Sequence, residues 1–355
     1  MVSLLHPYEL GSLRLPNRVV MAPMTRVRAT RDGLAVPSTA TYYAQRATAG
    51  LIVSEGAQPS LPGQSNPHTP GLHSDAAVEA WRPVTAAVHA NGGRIFAQIM
   101  HGGRVGHPDT TGFVPVAPSA VRLPAEVFTP AGPRPAPVPR ALSRQEVRDE
   151  VAVYAEAARR AVDAGFDGVE LHGANGYLIQ QFLSSNVNRR TDEYGGSVTG
   201  RIRFAVEAAE ATADAIGAER VGLRLFPGGT VWDIVEEDPL DLYTVLYRAL
   251  APLGLAYLHT VMNGDRELFD VLRKEWPGAY IVNPSAGIVG RPADQAAGQA
   301  WLARGADLIS YGRAYLANPD LVERFRTGLP LREADPELFY AGGDNGYLNY
   351  SSHQY

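Results

Sequence analysis

The sequence predicts a (β/α)8 barrel, and three observations carry that prediction. First, one half-unit recurs: the end of a helix, a glycine, then a short apolar strand, in AGLIVSEG (49–56), AGFDGVELH (164–172), LGLAYLHTV (253–261) and RGADLISYG (304–312). Second, four more apolar runs, NRVVMAP (17–23), GRIFAQIM (93–100), ERVGLRLF (219–226) and GAYIVN (278–283), raise the strand number to eight. Third, segments of helical period with proper start signals lie between them. Continuous apolar runs suit strands covered on both faces of a parallel sheet, and eight alternations of strand and helix indicate a barrel. A doubly wound open sheet is the alternative, but no G-x-G-x-x-G follows any strand. Residues 1–355 read as a single domain.

Taken in order, LLHPYELGSLRLPN (4–17) is expected to form an N-terminal hairpin closing the barrel bottom. After the third strand, the Pro-rich stretch 113–143 is too long for an ordinary connection. It leaves the catalytic face and can serve as a lid, with Val121, Leu123, Val127 and Phe128 available to pack; a disordered loop is the bland alternative. Ser143 and Glu146 stand in capping-box spacing ahead of a helix that stops at Gly165. Asp238 as cap and Pro239 in the first turn open another helix, and NPDLVERFRTG (318–328) repeats the pattern.

Composition removes several chemistries. There is no cysteine, which excludes disulfides, thiolate nucleophiles, cysteine-held iron–sulfur clusters and Cys zinc sites. The one lysine, Lys274, sits near a helix end before Pro277-Gly278, so a Schiff base or a Walker-type loop has a single poor candidate. A net charge of -5 gives no reason to expect nucleic acid or an anionic membrane as partner. No apolar run approaches a membrane span and no signal-peptide pattern opens the chain, so the cytoplasm is the expected compartment. The expected assembly is a monomer or homodimer.

In a barrel, chemistry belongs at the C-terminal ends of the strands. Those ends carry Pro23-Met24-Thr25, then Glu55-Gly56-Ala57, then Gln98 with Met100 and His101. They continue with His172, Asn175 and Tyr177, then Arg224, then Asn283-Pro284-Ser285-Ala286-Gly287, then Tyr311-Gly312-Arg313. The last two loops are where barrels commonly bind phosphate. Acidic groups do not cluster on this rim, so no metal is expected. What remains suits a flat, polar-edged heterocycle carrying one phosphate. Each residue also has a plainer reading: Gln98 as a strand-end amide, Arg224 as an ion-pair partner, Tyr177 as a packed aromatic. His259 and the turn Asp192–Gly196 read as structural.

The segments NRVVMAPMTR, HGANGYLIQQFLSSNVNRRTDEYGGSVTGR and GRAYLANPDLVERFRTG resemble the Old Yellow Enzyme family of FMN-dependent ene-reductases, and the likeness runs to FYAGGDNGYLNY at the C-terminus. The resemblance implies FMN across the barrel mouth and NADPH or NADH as reducing co-substrate. Thr25 would bond the flavin O4, with Pro23, Met24 and Gly56 touching the ring by backbone. Gln98 and Arg224 would bind the pyrimidine edge, and Gly312 and Arg313 the phosphate, with Ser285 in the adjacent loop. His172 and Asn175 would grip the oxygen of an enone, enal or nitroalkene, Tyr177 would give the proton, and Met100 and Tyr340 would line the acceptor pocket.

The sequence departs from the family pattern in two places: Met100 stands where tryptophan is frequent, and NPSAG replaces a Gly-rich phosphate loop. Rival functions are a non-redox phosphate-binding barrel using Tyr177 or His172 as base, a catalytically silent binding barrel, and a flavoenzyme dedicated to one biosynthetic intermediate.

Overall fold

The structure, a computed structural model, describes residues 2–262, 265–284 and 292–350. Eight parallel strands close into one barrel: β1 (Val19–Met21), β2 (Leu51–Ala57), β3 (Ile95–Ile99), β4 (Gly168–Gly173), β5 (Val221–Leu225), β6 (Tyr257–Val261), β7 (Ala279–Asn283) and β8 (Leu308–Tyr311). Each strand pairs with its chain neighbour, and β8 closes on β1 through Ile309↔Val19 and Tyr311↔Met21.

Successive side chains point to opposite sides of each strand. Val19, Met21, Val169, Leu171, Val221 and Leu223 join the outer core with the helices. Val20, Leu51, Val53, Phe96, Tyr257, Ile281 and Leu308 form a second cluster inside the barrel. Two glycines make room for the inner aromatic pair. A Cβ on Gly222 would come within 2.3 Å of the Tyr257 ring, and one on Gly168 within 2.6 Å of Phe96. Those two rings stack at 5.8 Å.

The hairpin forms as expected: Tyr8–Leu10 pairs antiparallel with Leu13–Leu15. Leu10 and Leu15, both buried, seal the inner cluster from below. Burying each leucine contributes roughly 1.5–3 kcal/mol.

Helix starts are partly as the sequence implies. Ser143 and Glu146 form the capping box of helix Arg144–Asp163, and Gly165 follows it at φ +92. Asp238 does occupy the N-cap of helix Pro239–Leu250, but at φ 47 it makes no side-chain capping bond. Asn318 does not cap the start of the helix that follows it. Its amide donates to Ala314 O (2.8 Å) and Arg332 O (3.0 Å), and the helix Leu321–Thr327 begins three residues later.

The excursion after β3 is ordered. Val116–Ala117 pairs with Arg140–Ala141, and Glu126–Thr129 forms a hairpin with Gly132–Pro135. Leu123 and Val127 pack with Val105 and Ala136 against Tyr177 and Trp232. Phe128, expected to pack, is 51% exposed, because the hairpin alternates and turns Val127 inward instead.

Candidate active site

At the C-terminal mouth of the barrel lies a cavity of about 1170 Å³, open solvent at its mouth included. That is somewhat above the ~300–1,000 Å³ range of small-molecule sites because it counts that open solvent. Pro23, Met24, Thr25, Gln98, Met100, His172, Asn175, Tyr177, Arg224, Gly312, Arg313 and Tyr340 all face it. One expected residue does not. Gly56 is covered by Met100: a Cβ there would lie 2.7 Å from the Met100 sulfur. Ser285 lies outside the described residues, as do Ala286 and Gly287.

The wall formed by residues 172–177 is built by a left-handed turn. Asn175 (φ 56) and Gly176 (φ 78) reverse the chain between His172 on β4 and Tyr177 at the start of helix Leu178–Leu183, and Asn and Gly are the residue types that tolerate this conformation. Two buried glutamines lock it. Gln180 Oε1 accepts from Gly176 N (2.8 Å), and Gln181 Nε2 donates to Gly176 O (2.8 Å) and Gly102 O (3.0 Å). The rings of His172 and Tyr177 then stand 5.3 Å apart.

Both rings are uncharged at neutral pH. Burial, then the neighbouring Arg224, pushes His172 down to about 3, and its buried Nδ1 has no protein partner. Burial raises Tyr177, partly opposed by hydrogen bonds from Trp232, Ser65 and Asn66. This wall therefore presents neutral donors.

The adjoining wall, on the strands either side of β4, rests on a buried polar network. Gln98 Nε2 donates to Glu170 Oε1 (2.9 Å). His259 Nδ1 and Tyr257 Oη donate to Glu170 Oε2, at 2.7 and 3.1 Å. Arg224 Nη1 contacts the His259 ring, 3.1 Å from Nδ1 and closer still to Nε2, which also meets Ser310 Oγ at 2.7 Å. Burial and Arg224 push His259 down to about 4. A neutral ring that donates from Nδ1 to the carboxylate leaves Nε2 to accept.

A third wall is held from below. Arg26, fully buried, donates to Phe339 O (3.1 Å), Tyr42 Oη (2.9 Å) and Gly346 O (2.9 Å). Arg28 donates to the carbonyls of Leu338, Phe339 and Gly343 at 3.0, 2.8 and 3.1 Å, and to that of Ala341. Val27 between them takes φ 56, a strained conformation for a β-branched residue. Tyr347 stacks on Tyr42 at 4.1 Å. These contacts fix the segment that carries Tyr340 over the cavity.

Comparison with known proteins settles the family. The sequence pattern of the NADH:flavin oxidoreductase / NADH oxidase family matches residues 3–332. 12-oxophytodienoate reductase 1 of Oryza sativa subsp. japonica is 40% identical over 363 residues, covering 98% of this chain and 93% of its own. The structure of the old yellow enzyme homologue from Zymomonas mobilis superposes with a TM-score of 0.93 at 40% identity, covering 99% of each chain. Morphinone reductase in complex with tetrahydroNAD gives 0.93 at 41% identity, covering 100% of this chain and 98% of its own. The chain belongs to the NADH:flavin oxidoreductase / NADH oxidase family. The resemblance to Old Yellow Enzyme and the barrel prediction both hold.

Within this flavin oxidoreductase, the sequence reading leaves His259 as structural and misses Glu170 and Ser310, which support the cavity with it. Glu170, His259 and Ser310 each lie two residues from an inward-facing barrel position, counted from Gly168, Tyr257 and Leu308. Period-two counting along each strand identifies them; treating the strands as uniformly apolar hid them. The arginine pair at 26 and 28 carries no local signal, because most of its partners lie more than 300 residues away. Among the described residues no group of three or more His, Cys, Asp or Glu side chains could hold a metal ion, and no helix is long and apolar enough to cross a membrane.

Proposed function

We propose that this flavin oxidoreductase uses FMN and a nicotinamide nucleotide, NADPH or NADH, to reduce the C=C bond of α,β-unsaturated carbonyl or nitro compounds. One observation carries the reading: His172, Asn175 and Tyr177 line one side of a cavity that Thr25, Gln98 and Arg224 also line. The second group fits the polar edge of a flavin. A carboxylate can only accept, so the Gln98 amide must turn its nitrogen to Glu170, which leaves Oε1 to accept from a ring N–H. Pro23 and Met24 would lie along the ring, with Gly312, Arg313 and the Ser285 loop as the phosphate anchor. NADH oxidation by the family, and the oxidoreductase names of the relatives, support redox chemistry over a non-redox barrel.

When bound and reduced, FMN supplies a hydride to the substrate β-carbon. As negative charge gathers on the substrate oxygen, His172 and Asn175 donate to it, and removing a donor of this kind typically costs ~3 kcal/mol. Tyr177 passes its proton to the α-carbon, completing the addition of hydride and proton across the double bond. The neutral state of His172 matters here, since it donates without bringing a charge that would attract unrelated anions. We read the 113–143 excursion as the lid of this single-domain enzyme. We place the enzyme in the cytoplasm as a monomer or homodimer, acting on small molecules.

The purified protein is expected to be yellow, to release FMN on heating and to consume cyclohexenone with NADPH; a colourless preparation that takes up no flavin would end the reading. Thr25→Ala is expected to lower the flavin potential, because it removes a donor from the side where charge grows on reduction. A potentiometric titration that shows no change or a rise counts against that placement. Met100→Trp is expected to narrow the acceptor pocket. Gly56 backs Met100 closely, so the larger, rigid indole must extend into the cavity. Bulky β-substituted enones should then lose more activity than cyclohexenone, and equal loss of both would place residue 100 away from the substrate.

A further inference from the structure

Glu170 does not line the cavity, yet both pyrimidine-side residues depend on it. It is completely buried, one inward position below His172 on β4. Its hydrogen-bond and charge partners are all polar or cationic. Gln98 donates to Oε1; His259 and Tyr257 donate to Oε2; and Arg224 lies behind His259. Burial alone raises its pKa, but His259, Arg224 and Gln98 outweigh that and hold it below the usual value. The carboxylate is therefore ionised, and the His259 ring is neutral. The network then contains one anion, Glu170, and one cation, Arg224, bridged by an imidazole.

An isolated buried carboxylate is strongly disfavoured, so its hydrogen bonds and the Arg224 charge are what keep it there. In return it fixes two things. It dictates which end of the Gln98 amide faces the cavity, and it cancels part of the Arg224 field at the place where a flavin would gain negative charge.

We propose that Glu170 is a positioning residue that sets the flavin reduction potential, holding it below the value Arg224 alone would impose. The inference rests on the reading that the cavity binds FMN. Charges interact strongly in a buried, low-dielectric site, so removal of the anion exposes the bound flavin to an uncompensated guanidinium. Reduction is then favoured. The nicotinamide-driven half-reaction speeds up, and the enone half-reaction slows, because a better-stabilised reduced flavin gives up hydride less readily.

The test is a potentiometric titration of Glu170→Gln and Tyr257→Phe beside the unaltered protein, together with FMN affinity by fluorescence quenching. Glu170→Gln keeps the shape and removes the charge, and its potential is expected to rise. Tyr257→Phe keeps the charge and removes one hydrogen bond from it, and its potential is expected to fall. An unchanged or lowered potential in Glu170→Gln overturns the proposal. If that variant does not fold, Tyr257→Phe decides alone: a fall supports the proposal, and an unchanged or raised potential overturns it. An unaltered protein that binds no FMN removes both this inference and the reading beneath it. FMN binding without the potential shifts removes only the role of Glu170.

Discussion

Tyr177→Phe is expected to leave flavin reduction by NADPH nearly intact while slowing reoxidation by cyclohexenone by ~10²–10⁴-fold, the usual scale for losing a general acid. The ring packs against Val105, Leu123, Val127 and Ala136, and phenylalanine preserves that packing. What disappears is one hydroxyl, held protonated by burial. Hydride transfer from nicotinamide to flavin needs stacking and alignment but no phenolic proton. Alkene reduction needs a proton at the α-carbon, so the loss falls on that half-reaction alone. Nitroalkenes, whose carbanion is stable enough to be protonated by solvent, should suffer least. Quinones and oxygen need no carbon protonation and should still reoxidise the flavin. Stopped-flow measurement of each half-reaction decides the point: a variant slow in flavin reduction but normal toward cyclohexenone would overturn the assignment of Tyr177.

The second large effect is expected from the double variant His172→Ala, Asn175→Ala. Phenols and enones present one oxygen to both side chains, so p-hydroxybenzaldehyde binding should weaken sharply and enone reduction should fall by more than either single change produces. NADPH oxidation should survive better. Because burial and Arg224 hold His172 at about 3 rather than 6.5, enone binding should show no imidazole step in its pH profile. A step near 6.5, or equal affinity of the double variant for the phenol, would show that these donors do not meet the substrate oxygen.

The barrel was legible because its strands are written locally, as apolar runs after glycines. Boundaries were less so. The first strand extends only from Val19 to Met21, since Asn17 turns its Oδ1 to Val19 N (3.0 Å) and Gly50 N (2.9 Å) and acts as a latch between strands. The wall from His172 to Tyr177 was legible because its spacing lies within six residues. Gln98, Thr25 and Arg224 were placed correctly at the mouth because strand ends converge there in any barrel. Glu170 was missed and His259 was read only as structural, since a buried ion in an apolar run makes sense only beside partners from three other strands. The excursion was recognised by length, but its hairpin register, and therefore the exposure of Phe128, depends on packing against Tyr177 and Trp232 that no local pattern encodes.

The two arginines beneath Tyr340 bond mostly to main-chain oxygen, and this has a consequence for how the enzyme's substrate range can drift. A guanidinium that meets only carbonyls is blind to side-chain identity. The segment from Leu338 to Gly346 is therefore docked by its backbone, and residue 340 can be exchanged without undocking it. What cannot be exchanged freely are the three glycines that set the path: Gly342, Gly343 and Gly346 at φ 96, 60 and 68, the last with Leu338 Cβ only 2.4 Å from where its own Cβ would stand. In the proposed reading the acceptor wall is thus an interchangeable panel on a fixed frame, and selection for new alkenes would act at Tyr340 while the barrel and the proposed flavin pocket remain unaltered.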